Sequence, residues 1–222
     1  MTVKTEQGRR LGRHAVLLSA LTLALLSSAC APLVVGGVMV GGAIVATDRR
    51  TSGIQLEDES IEVKAASRVR EQLGDRVHVN INSYNRLVLI TGEAREEADR
   101  EALGRIVGGV ENVNHVLNET AVMLPSSYSS RSNDVYIAGK IKATLVDAPD
   151  LMSNAFYVVV ERGTVYMMGR VTEREAKRAV DLTRSISGVG KVVRAFEIIS
   201  EEELARLVPP STKKQPDASA TQ

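Results

Sequence analysis

The chain is 222 residues long and carries 28 Lys and Arg against 27 Asp and Glu, a formal net charge of +1. Whole-molecule attraction to nucleic acid therefore has no footing, and any electrostatic recognition is local. With no Trp, 2 Phe and 17 Gly, the cores must be built from Val, Ile, Leu and Ala, which suits small sheets flanked by helices. The single cysteine excludes an internal disulfide, and His14, His78 and His115 do not stand at metal-ligand spacing, so neither a metal nor a bound cofactor is expected.

The N-terminus has the grammar of a secretory signal. Lys4, Arg9, Arg10 and Arg13 precede AVLLSALTLALL at 15–26, a charged region followed by a short apolar one. Ser27, Ser28 and Ala29 then lead to Cys30. This resembles the lipobox of bacterial lipoproteins, with Ser27 where Leu is usual and Leu26 one place further back. The resemblance implies a signal peptide over 1–29 and a diacylglycerol on the Cys30 sulfur with an acyl group on its new N-terminus. The alternative is an unmodified thiol inside a membrane span, because no charge falls between His14 and Asp48. Pro32 and the four glycines of APLVVGGVMVGGAIVA oppose a stable isolated helix there, so 30–57 reads as a lipidated tether. Ala31 after the cysteine resembles the outer-membrane sorting class, and that resemblance implies an outer-membrane anchor with the chain facing the periplasm.

Past the tether, 58–123 and 134–200 lie over each other as two copies of one unit. Ile61 and Lys64 match Ile137 and Lys140, Leu87 to Gly92 match Thr164 to Gly169, and Gly109-Val110 matches Gly188-Val189. Each copy reads as a helix with apolar residues at helical spacing (Val63, Ala66, Val69, Leu73; Ile137, Ile141, Leu145), an alternating hairpin, a charged helix and a last strand. The hairpins turn at Asn85-Arg86 and Arg162-Gly163, and Thr172 to Glu175 has the capping-box pattern. The expected class is α+β: two tandem αββαβ modules, each a three-stranded sheet with two helices. A Ser-rich linker at 124–133 joins them, and a polar tail covers 201–222.

The unit resembles the BON module of bacterial envelope proteins, on the strand-ending glycines Gly92 and Gly169 and the later Gly109-Val110 and Gly188-Val189. These four glycines are read as structural. With TDRRTSG at 47–53, SNDVYIAGKI at 132–141 and VTEREAKRAV at 171–180, the chain resembles dual-BON outer-membrane lipoproteins, departing from them at Ser27, at Arg49 in place of Pro and at Tyr136 in place of Trp.

No Ser/His/Asp order, phosphate loop or HExxH stands in the chain, and the carboxylates of 93–101 and 173–175 alternate with Arg and Lys as solvated helix faces do. No enzymatic activity is expected. The binding candidate is the first helix of the second copy, where Tyr136 and Lys140 lie one turn apart with Lys142 flanking. An aromatic beside lysines suits a membrane interface; the plain alternative is a half-buried aromatic on a solvated helix. The family resemblance implies binding of an anionic phospholipid membrane through that helix, in support of envelope integrity. The competing reading is an adaptor that docks outer-membrane assembly proteins without lipid recognition. Neither reading fixes an oligomeric state.

Overall fold

The computed structural model describes residues 48–207; the signal segment, Cys30 and the end of the tail lie outside them. Helix α1 (Ser52–Leu73) starts at Thr51, whose hydroxyl accepts the Ile54 N–H, and buries Ile61, Ala65, Val69 and Leu73. That row runs at i, i+4 steps. Val63 and Ala66, expected on the core face, point outward instead, because Val63 lies two residues past Ile61 and so about 200° round the helix. Strands β1 (Val77–Tyr84) and β2 (Leu87–Ala94) form an antiparallel hairpin. Helix α2 (Glu97–Gly108) returns the chain to β3 (His115–Asn118) and β4 (Ala121–Val122), both parallel to β2. The last strand is thus broken in two. At the break the Asn118 side chain accepts the Thr120 N–H and donates to the Arg100 carbonyl, a local alternative to the strand ladder.

The second copy repeats the order. Helix α3 (Tyr128–Val146) is followed by the hairpin of β5 (Tyr157–Glu161) and β6 (Thr164–Val171), then by α4 (Glu173–Arg184) and β7 (Lys191–Ile198), which runs parallel to β6. Two boundaries differ from the sequence reading. Ser127 caps α3 by accepting the Ser130 N–H, so the helix begins inside the stretch read as linker. A further helix, α5 (Glu201–Leu207), opens the stretch read as tail, where the Ser200 hydroxyl accepts the Glu203 N–H and Arg170 reaches Glu203 at 2.7 Å. The capping box at Thr172 and Glu175 is formed.

Both hairpins turn through two residues with positive φ: Asn85 and Arg86 at 50° and 66°, Arg162 and Gly163 at 49° and 69°. This geometry matches the strand twist but is costly for side chains other than glycine. One device holds it in each copy. The buried carboxylate of Asp58, on α1, accepts the N–H groups of Asn85 and Arg86 at 2.8 Å each. Asp134, on α3, accepts those of Arg162 and Gly163 at 2.8 and 2.9 Å.

The strands alternate between two apolar layers. Val88, Ile90 and Ala94 of β2 face α1 and α2, while Leu89 joins Tyr84, Tyr166 and Met168 in a layer between the two sheets, flanked by Leu87, Leu117, Val159, Val193 and Ala195. Val165, Met167 and Val171 of β6 face α3 and α4. The sheets therefore stack face to face with the helix pairs outside. Polar ties rim the layer: Asn82 to the Tyr157 hydroxyl at 3.0 Å, Asn85 to Glu197 at 2.5 Å and Arg162 to Glu93 at 2.6 Å.

Two adjacent arginines close the assembly. Arg50 pairs with Asp58 at 2.8 Å and lies 4.2 Å over the Tyr84 ring, in the first copy. Arg49 is buried and reaches the second copy, with both terminal nitrogens 2.8 Å from the Glu175 carboxylate and one also 2.8 Å from the Arg170 carbonyl. Burial works to raise the Glu175 pKa, but Arg49 and the Thr172 N–H together hold it below the usual glutamate value. A depressed carboxylate contributes stability above its unfolded pKa and loses it as pH falls through the folded one. Arg49→Ala leaves that carboxylate buried without its partner, and the expected loss is about 3–5 kcal/mol at neutral pH, read by urea denaturation and shrinking toward pH 4.

Candidate functional site

The face of α3 turned away from the sheet carries the candidate site. Asp134, Ile137, Ile141 and Leu145 are buried, and the outward side presents Tyr128, Val135, Tyr136 and Val146 at 87, 74, 65 and 67 % exposure. Gly139 and Ala143 lie exposed between them. The helix is thus apolar on both faces, where a solvated helix keeps one polar. Tyr136 is well exposed.

The two lysines stand apart. The Lys140 ammonium sits 4.7 Å over the centre of the Tyr136 ring and donates to the Ser187 carbonyl at 2.5 Å, so part of its donor capacity is spent within the protein. Lys142 is exposed and, two residues on, lies roughly 160° round the helix from Lys140. The structure brings Tyr136 and Lys140 together and puts Lys142 on the other flank of the apolar ridge. Asp134 is the one carboxylate between Tyr128 and Val146, and it is turned inward. Helix α1 differs: it exposes Glu59 and Glu71 beside Lys64 and Arg70, and Lys64 is paired with Glu111 at 3.0 Å. The sequence reading named Tyr136, Lys140 and Lys142 and passed over Tyr128, Val135 and Val146. Their signal was present as apolar residues on the face opposite Ile137, Ile141 and Leu145.

The four glycines divide. Gly92 and Gly169 have φ of 112° and 154°, and a Cβ would fall on the carbonyl oxygens of His78 and Ala155. Gly188 has φ of 99°, with Ile137 Cδ1 2.8 Å from where a Cβ would stand. It therefore seats α3 against the α4–β7 connection. Gly109 has φ of −84° as the cap of α2 and needs no glycine-specific conformation. Cys30 lies outside the described residues. Among the described residues no group of three His, Cys, Asp or Glu is placed to hold a metal, and no helix is long and apolar enough to cross a membrane.

A buried acidic cluster lies where the copies meet beside α3. Glu93 receives Arg162 at 2.6 Å and His78 Nδ1 at 3.1 Å, while Glu161 has Arg162 only at 3.9 Å. Burial first, then the neighbouring Glu93, pushes the Glu161 carboxyl above its ordinary pKa, and Asp134 adds to this against Arg162 and His78. A raised carboxyl favours the fold below its unfolded pKa, and that contribution is lost as pH rises through the folded value. Glu161→Gln is therefore expected to raise the thermal midpoint at pH 7, with the gain vanishing near pH 4, as read by calorimetry across that range.

The comparisons agree with this architecture. The BON domain model matches residues 61–123 and 133–200. The chain is 34% identical over 172 residues to the outer membrane lipoprotein DolP of Haemophilus influenzae, covering 77% of this chain and 89% of that protein. It is 27% identical over 154 residues to the 21 kDa hemolysin of Actinobacillus pleuropneumoniae, covering 68% and 79%. Among solved structures, the C-terminal domain of CdsD from the type III secretion system of Chlamydia trachomatis overlaps 60% of this chain and 96% of its own at 10% identity, with a TM-score of 0.27, too loose to carry an argument. The chain belongs to the BON-domain family and, by its likeness to DolP, is an outer-membrane lipoprotein with two such domains.

Proposed function

We propose that the protein is held by acyl chains on Cys30 and reads anionic phospholipid with the outward face of α3, supporting the integrity of the outer membrane. The carrying observation is the composition of that face: four large apolar side chains at 65–87 % exposure, a cation on each flank and no outward carboxylate before Asp147 at the C-cap. Aromatic rings sit at headgroup depth, and each lysine near an anionic surface contributes about 1 kcal/mol. Two such lysines and shallow apolar contact give weak binding in solution. A lipid anchor makes the second contact intramolecular and raises its effective concentration. The first domain lacks the arrangement, since Ser60 and Ala66 stand where α3 has Tyr136 and Lys142.

Flotation with phosphatidylglycerol vesicles tests this. Tyr136→Ala and Lys142→Glu are each expected to lower the floated fraction several-fold. Lys140→Ala is expected to cost less, because its ammonium is partly occupied by Ser187. Salt weakens the lysine contribution and leaves the apolar one. Equal losses from Ser60 or Lys64 substitutions, or no flotation of the folded wild type, would overturn the lipid reading and favour an adaptor that docks assembly proteins.

A further inference from the structure

We propose that two copies of this chain pair through β1, antiparallel about a two-fold axis at Asn80, so that the first-domain sheet continues from one copy into the other. β1 is an edge strand, next to β2 alone in its sheet. Long free edges are templates for another strand, and proteins block them with charges, proline or breaks. Here β7 carries Lys191, Arg194 and Glu197, and the β3–β4 edge is broken after Asn118. β1 has eight residues, VHVNINSY, with no Lys, Arg, Asp, Glu or Pro.

One outward group is already taken: the Ser83 N–H points away from β2 and donates to the Glu62 carboxylate at 2.7 Å. By strand alternation the N–H and C=O groups of Val77, Val79 and Ile81 also face outward, and these are the groups left for a second strand. Beside this edge runs a groove of about 590 Å³, walled by Val63, Ala66 and Arg70 of α1 and lined only by first-domain residues. The matching space beside β5 is about 190 Å³ and is already shared with His78, Asn80 and Arg131.

The occupant follows from charge and symmetry. Glu62, Ala66 and Arg70 form one i, i+4 row along the groove, an acid at one end, a base at the other and a small residue between them. A two-fold axis between antiparallel copies sets Glu62 against Arg70 of the second copy at both ends and lets the helices approach at Ala66. It also pairs Val79 with Ile81 of the second copy through outward main-chain groups and leaves Asn80 opposite itself in a non-hydrogen-bonded pair. Such an interface is isologous and closes at two.

The test uses the full chain with Cys30→Ser, so that introduced thiols are the only ones. Asn80→Cys is expected to give a disulfide-linked dimer on mild oxidation, because side chains in a non-hydrogen-bonded pair come within disulfide reach. His78→Cys or Asn82→Cys alone is expected to give none, because these positions face each other across the axis and not themselves. In sedimentation, Glu62→Arg and Arg70→Glu are each expected to shift the mass to a single chain, and the double variant to restore the dimer. A single-chain mass for the unreversed protein at all concentrations would overturn the proposal. So would a dimer indifferent to both reversals, or cross-linking at 78 and 82 equal to that at 80.

Discussion

The structure depends on the apolar layer between the two sheets. Each domain alone has a helix-side core, but its sheet is apolar on the other face as well: Leu89 and Tyr84 in one, Tyr166 and Met168 in the other. A small sheet with both faces apolar cannot stand in water on one of them, so each sheet covers the other. Once that layer forms, the helices are forced outward, and the outward face of α3 becomes a surface of the whole molecule. Burying one such side chain is worth about 1.5–3 kcal/mol, so the four at the centre of the layer hold the domains together without any need for the linker to do so.

The polar contacts refine that packing. Asp58 and Asp134 use one carboxylate each to hold a strained turn, and they lie on the same helices that supply the cores. Arg50 adds a charged partner to Asp58 beside the Ser83 hydroxyl and the two turn N–H groups, while Arg49 crosses to the capping-box glutamate of the second domain. Neighbouring residues of one short segment therefore grip both domains. Glu175 serves its own helix start and the pair with Arg49 together, and each of its oxygens has a donor, while the Arg49 Nε is buried without a partner.

Much of this was legible in the residues. The repeat, the two-residue turns and the capping box follow from local rules that the structure obeys, because turn chemistry and caps are decided within a few residues. The helix face of α1 was misread because Val63 fits a loose 3–4 spacing, and only packing against β1 shows that the i, i+4 row from Ile61 wins. The roles of Arg49 and Asp134 were hidden for another reason. Their partners lie far along the chain, and no periodicity in sequence marks a contact from residue 49 to residue 175. The ridge on α3 was half legible: Tyr136 stood out beside lysine, whereas Val135 and Val146 read as ordinary helix-formers until the sheet claimed the opposite face.

A helix apolar on both sides costs solubility unless one side meets something other than water, and the flanking lysines are the reason an anionic surface is proposed as that partner. Depth measurement by spin labelling asks this most directly. Nitroxides placed singly at Gly139 and Ala143 of α3, and at Ser60 and Val63 of α1, are compared by oxygen and nickel-chelate collision rates on phosphatidylglycerol vesicles. The account predicts that labels on α3 enter the headgroup–acyl boundary, about 5–10 Å deep as interfacial helices do, while those on α1 stay in water. Labels on α3 that remain aqueous with the protein bound, or equal depth on both helices, would contradict it.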